Sequence, residues 1–476
     1  MSPSQQHAAT TDDQRPASSV GSALSFAEAQ LWQAHQTGGH ALPFFDCAPS
    51  LSVTMRSGVP VNRKALTASL NEIVQRHDVL RSRFMARDGR PLRLCSDAME
   101  IALTELDLRG VSNAERPCIV RRMLARHAQS PFDLARGPLL RAALAALSDE
   151  EHVLAITVHH IVFDRWSRRV LVRELTELYE AHVTGRTPVL ASLPDRYGDY
   201  VRWQRDNLDG PLGRALSEYW IPRLQAVPEL SLPRDCVGAH APSTQAGACS
   251  FTIATEDVTR LVRLSRASRT TVGAAMLAVL TLFLHKLCAV DDISVGVPIS
   301  DRRRQEFEPL IGLFMNVLVV RTMIAPDMTF LDLLDRVRGV LVDSCRHQDM
   351  PYGYLVRALG AQRPLYRVTF NFMPAMPPSA KASSVLEETD LAIAAKPQSL
   401  ADLSFNIRHR ADGLACRLIY KADLFSTNRA RQFAAQLHTL LTAVLDEPQK
   451  RVARYDLLAG EHDWRHVEMA DEPCEA

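Results

Sequence analysis

The feature that most constrains this chain is an abrupt change of hydrophobic period at residues 159–164. Upstream, residues 139–147 and 152–159 are two apolar runs separated by Ser148-Asp149-Glu150-Glu151, which is the pattern of a hairpin. Downstream, Trp166, Val170, Leu171, Leu175, Leu178 and Tyr179 recur at helical spacing as far as Gly185. A strand therefore ends and a helix begins within His159-His160-Ile161-Val162-Phe163-Asp164, and such junctions on a rigid scaffold commonly carry active-site groups. Successive strand residues face opposite sides, so one histidine is expected to face a channel and the other to be buried as its support. Asp164 lies across the turn. Two readings fit these letters: an active-site turn, or a pair of satisfied core histidines with a turn-capping aspartate.

The same mixture of periods runs along the whole chain. Helical patterns follow Leu24 and occupy 63–78, 116–127, 258–268, 272–287, 329–346 and 428–445, while strand patterns occupy 80–84, 292–297, 403–408 and 414–420. Interleaved strands and helices in both halves predict an α/β (α+β) fold with two lobes of similar size. The expected organisation is a polar, disordered tail at 1–20, an N-terminal lobe at 21–190, a C-terminal lobe at 191–465 and a short tail at 466–476. Residues 374–398 read as a loop. At 476 residues the chain is long enough for two cores.

Composition excludes more than it suggests. Net charge is +1, so no global field points to nucleic acid or an anionic membrane. The longest apolar run, near 272–284, is too short to span a bilayer, and the polar N-terminus has no signal-peptide core. Nine cysteines, an odd number with no CxxC and none near a histidine pair at metal spacing, read as reduced thiols of a soluble cytoplasmic protein, with no metal site expected. There is no GxGxxG after a strand, no GxxxxGK[ST], no HExxH and no GxSxG, so nucleotide, zinc-protease and serine-hydrolase chemistry have no support.

Beyond the turn, six ordered stretches carry a resemblance. They are Leu24-Ser25-Phe26-Ala27 with Leu31-Trp32; Arg76 through Phe84; Tyr197-Gly198-Asp199-Tyr200 with Trp203-Gln204; Ile311-Gly312-Leu313-Phe314-Met315-Asn316; His347 through Tyr352; and Tyr420 through Phe425. Together with the HHxxxD pattern of His159, His160 and Asp164, they resemble the motifs of condensation domains in nonribosomal peptide synthetases, within the chloramphenicol acetyltransferase-like superfamily. Trp166-Ser167 follows the condensation order rather than the Val-Ser-Trp of epimerisation domains.

This resemblance implies two acetyltransferase-like lobes in a V-shaped pseudo-dimer, with a tunnel between them and bridging segments near 296–320 and 370–400. Phosphopantetheine arms of donor and acceptor carrier proteins would enter from opposite ends and meet at His160. Asp164 would be structural and paired with Arg302, with His159, Arg165, Trp166, Ser167 and Asn316 as supporting or tunnel residues. The implied product is an amide, or an ester if the acceptor bears a hydroxyl. Because the donor thioester is already activated, this chemistry needs no enzyme nucleophile, metal or cofactor of its own. A neutral imidazole can accept a hydrogen bond or a proton from the acceptor amine, and alignment of two tethered reactants supplies the rest.

Carriers would be met in trans by a monomer, with the tails Met1–Val20 and Glu461–Ala476 as candidate docking elements. Two departures from the pattern stand out. Arg165 occupies a usual glycine position, where it could narrow the donor route, lower the His160 pKa, pair with an acidic substrate or swing into solvent. Asp301 also replaces a usual glycine, and the two form a candidate compensating charge pair. A non-catalytic recruitment domain and a coenzyme A-dependent acyltransferase remain the alternatives.

Overall fold

A computed structural model describes residues 21–36, 50–235, 246–374, 386–389 and 401–457. Both expected tails, and residues 375–385 and 390–400 of the second bridging stretch, lie outside the described residues.

Two mixed sheets form the frame. The first runs, in spatial order, Glu387–Thr389, Ser50–Ser57, His152–His159, Leu140–Ala146 and Leu103–Asp107. The second runs Ala246–Ala254, Gly413–Lys421, Leu403–Arg410, Val368–Met373, Asp292–Ser300 and Met315–Met323. The hairpin Leu140–Ala146/His152–His159 pairs Leu140 with Val158 and Ala146 with His152. Every residue of His152–His159 is buried, because apolar clusters form on both faces of this sheet. The strand's run of apolar residues is the sequence counterpart of that double cover.

Helices form where capping chemistry and an apolar stripe agree. Arg165–Thr184 starts at Asp164, whose carboxylate accepts from Ser167 N, and stops at Gly185, which adopts φ 72°. A cap of this kind is worth about 1 kcal/mol, and the left-handed stop favours glycine. Val272–Cys288 is capped by Thr271 and buries every residue from Ala274 to Leu284. Its apolarity is that of a core helix, and no single helix among the described residues is long and apolar enough to cross a membrane. Strands at Ser50–Ser57, Leu103–Asp107, Ala246–Ala254, Met315–Met323 and Val368–Met373 were not anticipated from the sequence. Ala246–Ala254 reads AGACSFTIA, too rich in small residues to announce itself locally.

Each sheet has its own core, but the cores do not divide at residue 190. Tyr197, Tyr200, Leu216 and Trp220, on the helices Tyr197–Asp209 and Pro211–Leu224, belong to the cluster of the first sheet. The second half of the chain reaches that cluster again through the connection 301–314 between two strands of the second sheet. Phe307, Leu310, Ile311, Leu313 and Phe314 of this connection are buried among first-sheet residues. Glu387–Thr389 adds a further strand to the first sheet, pairing with Arg56, Met55 and Thr54.

Candidate active site at the junction of the two sheets

His159 ends its strand and caps the short 3-10 turn His160–Val162, with Nδ1 accepting from Ile161 N at 3.1 Å. Its ring stands edge-on to Phe132 and His35, at centroid distances of 5.8 and 6.2 Å. Burial pushes its pKa down to about 3, helped by His160, His35 and Arg141. Both histidines are buried, each 5% exposed, so exposure alone does not distinguish them. The turn takes His160 out of strand register, so simple alternation no longer applies.

Hydrogen bonding separates them instead. Nδ1 of His160 is buried and has no partner of good geometry. Burial lowers the His160 pKa, while the backbone of His160 and Phe163 and the Asp164 carboxylate pull more weakly upward. The imidazole is therefore neutral near pH 7.

Asp164 lies in the opposite setting. Oδ1 accepts from Ser167 N and Ser167 Oγ, both at 2.7 Å, and from Arg302 Nη2 at 3.1 Å. Oδ2 accepts from Phe314 N at 3.1 Å and from the same Arg302 nitrogen at 3.3 Å. Arg302 Nη1 donates to Phe307 O and Leu310 O at 2.6 and 2.7 Å, and its guanidinium lies 3.8 Å from the centre of the Phe314 ring. A buried carboxylate needs this company, because an unpaired one would cost several kcal/mol or take up a proton. Ser167 extends the grip: Gly312 N donates to its Oγ at 3.0 Å, and Gly312 O lies 2.8 Å from that hydroxyl.

Three more residues hold the same connection. Trp166 Nε1 donates to Glu308 O at 2.8 Å, and Tyr197 OH donates to Leu313 O at 2.8 Å. Ile311 N donates to His77 Nδ1 at 3.3 Å, which leaves Nε2 as the protonated nitrogen donating to Glu174 at 2.8 Å. A cleft of about 530 Å³, lined in part by Arg76, His77, Arg196, Leu310 and Ile311, opens beside this last contact. At Gly312 a Cβ would collide with the Tyr197 ring, so only glycine lets the connection pass. His77, Tyr197 and Gly312 were not picked out as site residues from sequence, although all three sit inside the motif stretches.

Asn316 is spent on structure. Its Nδ2 donates to Gln348 O and Met350 O at 2.9 and 2.8 Å, and its Oδ1 accepts from Val317 N and Tyr352 N. It joins two motif stretches that are distant in sequence. Arg165 is exposed at the first turn of its helix and reaches Met373, on a strand of the second sheet. The expected Arg165–Asp301 pair is not formed. Asp301 is 2% exposed and accepts from Tyr200 OH, which keeps it in the interior away from the helix surface that carries Arg165.

Two mixed sheets joined through a buried Asp–Arg pair beside a histidine turn define a two-lobe condensation fold. The Condensation domain family profile matches residues 24–463, and the chain belongs to that family. It is 34% identical over 445 residues to one of the linear gramicidin synthase proteins of Brevibacillus parabrevis, covering 92% of this chain and 6% of that protein. It is 36% identical over 404 residues to phosphinothricin tripeptide synthetase PhsB of Streptomyces viridochromogenes, covering 82% of this chain and 33% of that protein. The chain thus spans a third or less of these curated relatives.

Among solved structures, a complex of the X-domain and OxyB from teicoplanin biosynthesis matches with TM-score 0.80 and 25% identity, covering 97% of this chain and 100% of the other. The first condensation domain of the calcium-dependent antibiotic synthetase, in complex with a substrate analogue, matches in fold with TM-score 0.75 at 21% identity, covering 92% of this chain and 98% of the other.

Proposed function

We propose that this domain transfers an acyl group from a carrier-bound thioester to an amine or hydroxyl acceptor, with His160 as its catalytic residue. The observation that carries this reading is a buried, neutral imidazole on a turn fixed to both sheets through the Asp164–Arg302 pair. In the forward step the acceptor nitrogen attacks the thioester carbonyl, a C–N bond forms, the C–S bond breaks, and the pantetheine sulfur leaves as thiolate. The proton lost by the amine passes to the His160 imidazole and then to the departing sulfur. Acceptor α-amines have an ordinary pKa of about 7.7–8, so a neutral base close by matters near pH 7. Asp164 and Arg302 hold the turn and take no part in proton transfer. Donor and acceptor arms belong to acyl or peptidyl carrier proteins met in trans, in the cytoplasm.

A second reading, a recruitment domain, is favoured by two observations: the likeness to an X-domain solved in complex with OxyB, and the cation at position 165. Coenzyme A ends in the same pantetheine arm as a carrier, so it belongs in the test as a competing donor. Intact-protein mass spectrometry of a loaded donor carrier, an acceptor and either the wild type or His160→Ala distinguishes these cases. Acyl transfer by the wild type alone supports condensation. Equal transfer by both removes His160 from the chemistry. Carrier binding without transfer favours recruitment.

A further inference from the structure

Asp301 immediately precedes Arg302, the residue that clamps Asp164, and its surroundings are unlike those of its neighbour. Its backbone N donates to Phe314 O at 2.6 Å, and its Oδ2 accepts from Tyr200 OH at 3.0 Å; that hydroxyl in turn accepts from Gln204 Nε2 at 2.9 Å. Its Oδ1 is buried with no partner. The nearby carboxylate of Asp349 repeats the pattern: Oδ2 is bound by Arg303 Nη1 at 2.7 Å, while Oδ1 is buried and unpartnered. Asp349 cannot easily move away, because Asn316 holds the carbonyls of Gln348 and Met350 on either side of it.

The titratable and charged groups facing Asp301 are therefore Tyr200 from the helix Tyr197–Asp209, Asp349 from the segment before Tyr352–Ala358, and Arg303 from its own connection. Tyr200 is a neutral phenol whose single hydrogen bond to Asp301 favours the ionised form, Asp349 opposes a second negative charge, and Arg303 is already engaged by Asp349. Nothing in this set stabilises an ionised Asp301 enough to offset its burial.

We propose that Asp301 is a positioning residue that works as a carboxylic acid: with Asp349 it forms a proton-sensitive brace that sets how firmly Arg302 holds the turn carrying His160. When Asp301 ionises, relief from burial and from Asp349 requires residues 301–303 to move outward. That motion pulls on Arg302 and, through Asp164, on the His160 turn. Burial, reinforced by Asp349, raises the Asp301 pKa from 3.8 to about 7, which places the transition near neutrality. The sign follows from linkage. The native state holds a proton that the unfolded chain has released, so the stability contribution is full below pH 3.8, declines as the pH rises, and is gone above about pH 7.

The test compares wild type, Asp301→Asn and Asp349→Asn from about pH 5 to about pH 8. Thermal unfolding and side-chain 15N NMR of labelled histidine are both followed. Asp301→Asn keeps the shape without the ionisation. Its Tm is expected to rise relative to wild type by several degrees across this range and to level off above neutrality. The His160 imidazole signal is expected to step near pH 7 in wild type and to stay flat in Asp301→Asn. Asp349→Asn removes the like charge, so the wild-type loss of Tm shrinks and the NMR step moves to lower pH.

Parallel Tm and NMR profiles in wild type and Asp301→Asn overturn the proposal. A Tm difference with no step at His160 overturns the positioning role. The kinetic consequence rests on the condensation reading: the ratio of Asp301→Asn to wild-type transfer rate is near one at acidic pH and rises several-fold above neutrality. Absence of transfer with the Tm and NMR steps intact sinks that reading and leaves the brace standing.

Discussion

His160 and Asp164 lie on one turn, yet they occupy opposite electrostatic settings. Asp164 is saturated, with Ser167, Arg302 and Phe314 all donating to its two oxygens. His160 has a buried Nδ1 with no partner of good geometry and a pKa lowered chiefly by burial. The saturated residue is a fastener between sheets, and the other is the residue to which the proposed chemistry falls. A buried polar atom without a partner costs about 1–3 kcal/mol, and proteins retain such groups most readily at functional sites.

This contrast predicts that the two residues fail in different ways. Replacing His160 with Ala should lower acyl transfer by about 10²–10⁴-fold, with the loss appearing in kcat rather than in the urea midpoint. On the condensation reading, the protonated imidazole is the inactive form. Because its pKa lies below the usual 6.5, the acidic limb of the pH–rate profile should fall below pH 6.5, and an acidic limb above that value would contradict a buried neutral base. Arg302→Ala should show the reverse, a loss of about 3–5 kcal/mol in urea unfolding, since Asp164 is left buried and unpaired. If His160→Ala unfolds as readily as Arg302→Ala, the division between fastener and chemistry breaks down.

Smaller effects probe finer points. Gly312→Ala should cost about 1–3 kcal/mol by forcing the connection off the Tyr197 ring, measured by thermal unfolding. The smallest effect expected is the coupling between Arg165→Gly and Asp301→Gly. The two residues are not paired, so a double-mutant cycle on stability should give a coupling below about 0.5 kcal/mol. A larger value would restore the charge pair.

Most of the long helix spans were legible in the sequence within a few residues, because capping groups and apolar spacing are local: Asp164 and Gly185 bracket Arg165–Thr184, and Thr271 opens Val272–Cys288. The helices Tyr197–Asp209, Pro211–Leu224 and Tyr352–Ala358 were not delimited from sequence. The hairpin before the turn was legible for the same reason. Strands such as Ala246–Ala254 were not, because their register comes from partners far along the chain.

The alternation of strand and helix patterns, the strand-to-helix turn at 159–164 and the family, through motif spacing, are all written in the chain's letters. Three further facts emerge only when the chain is folded: two equally buried histidines differ in hydrogen bonding, Arg165 and Asp301 do not pair, and Asp301 keeps one carboxyl oxygen without a partner while both oxygens of Asp164 are satisfied. The difference is one of range. Caps, turns and hydrophobic period act over a few residues and leave their mark in the sequence. Burial, desolvation and the supply of donors to a buried carboxylate depend on the connection 301–314 folding back across more than a hundred residues onto the first sheet.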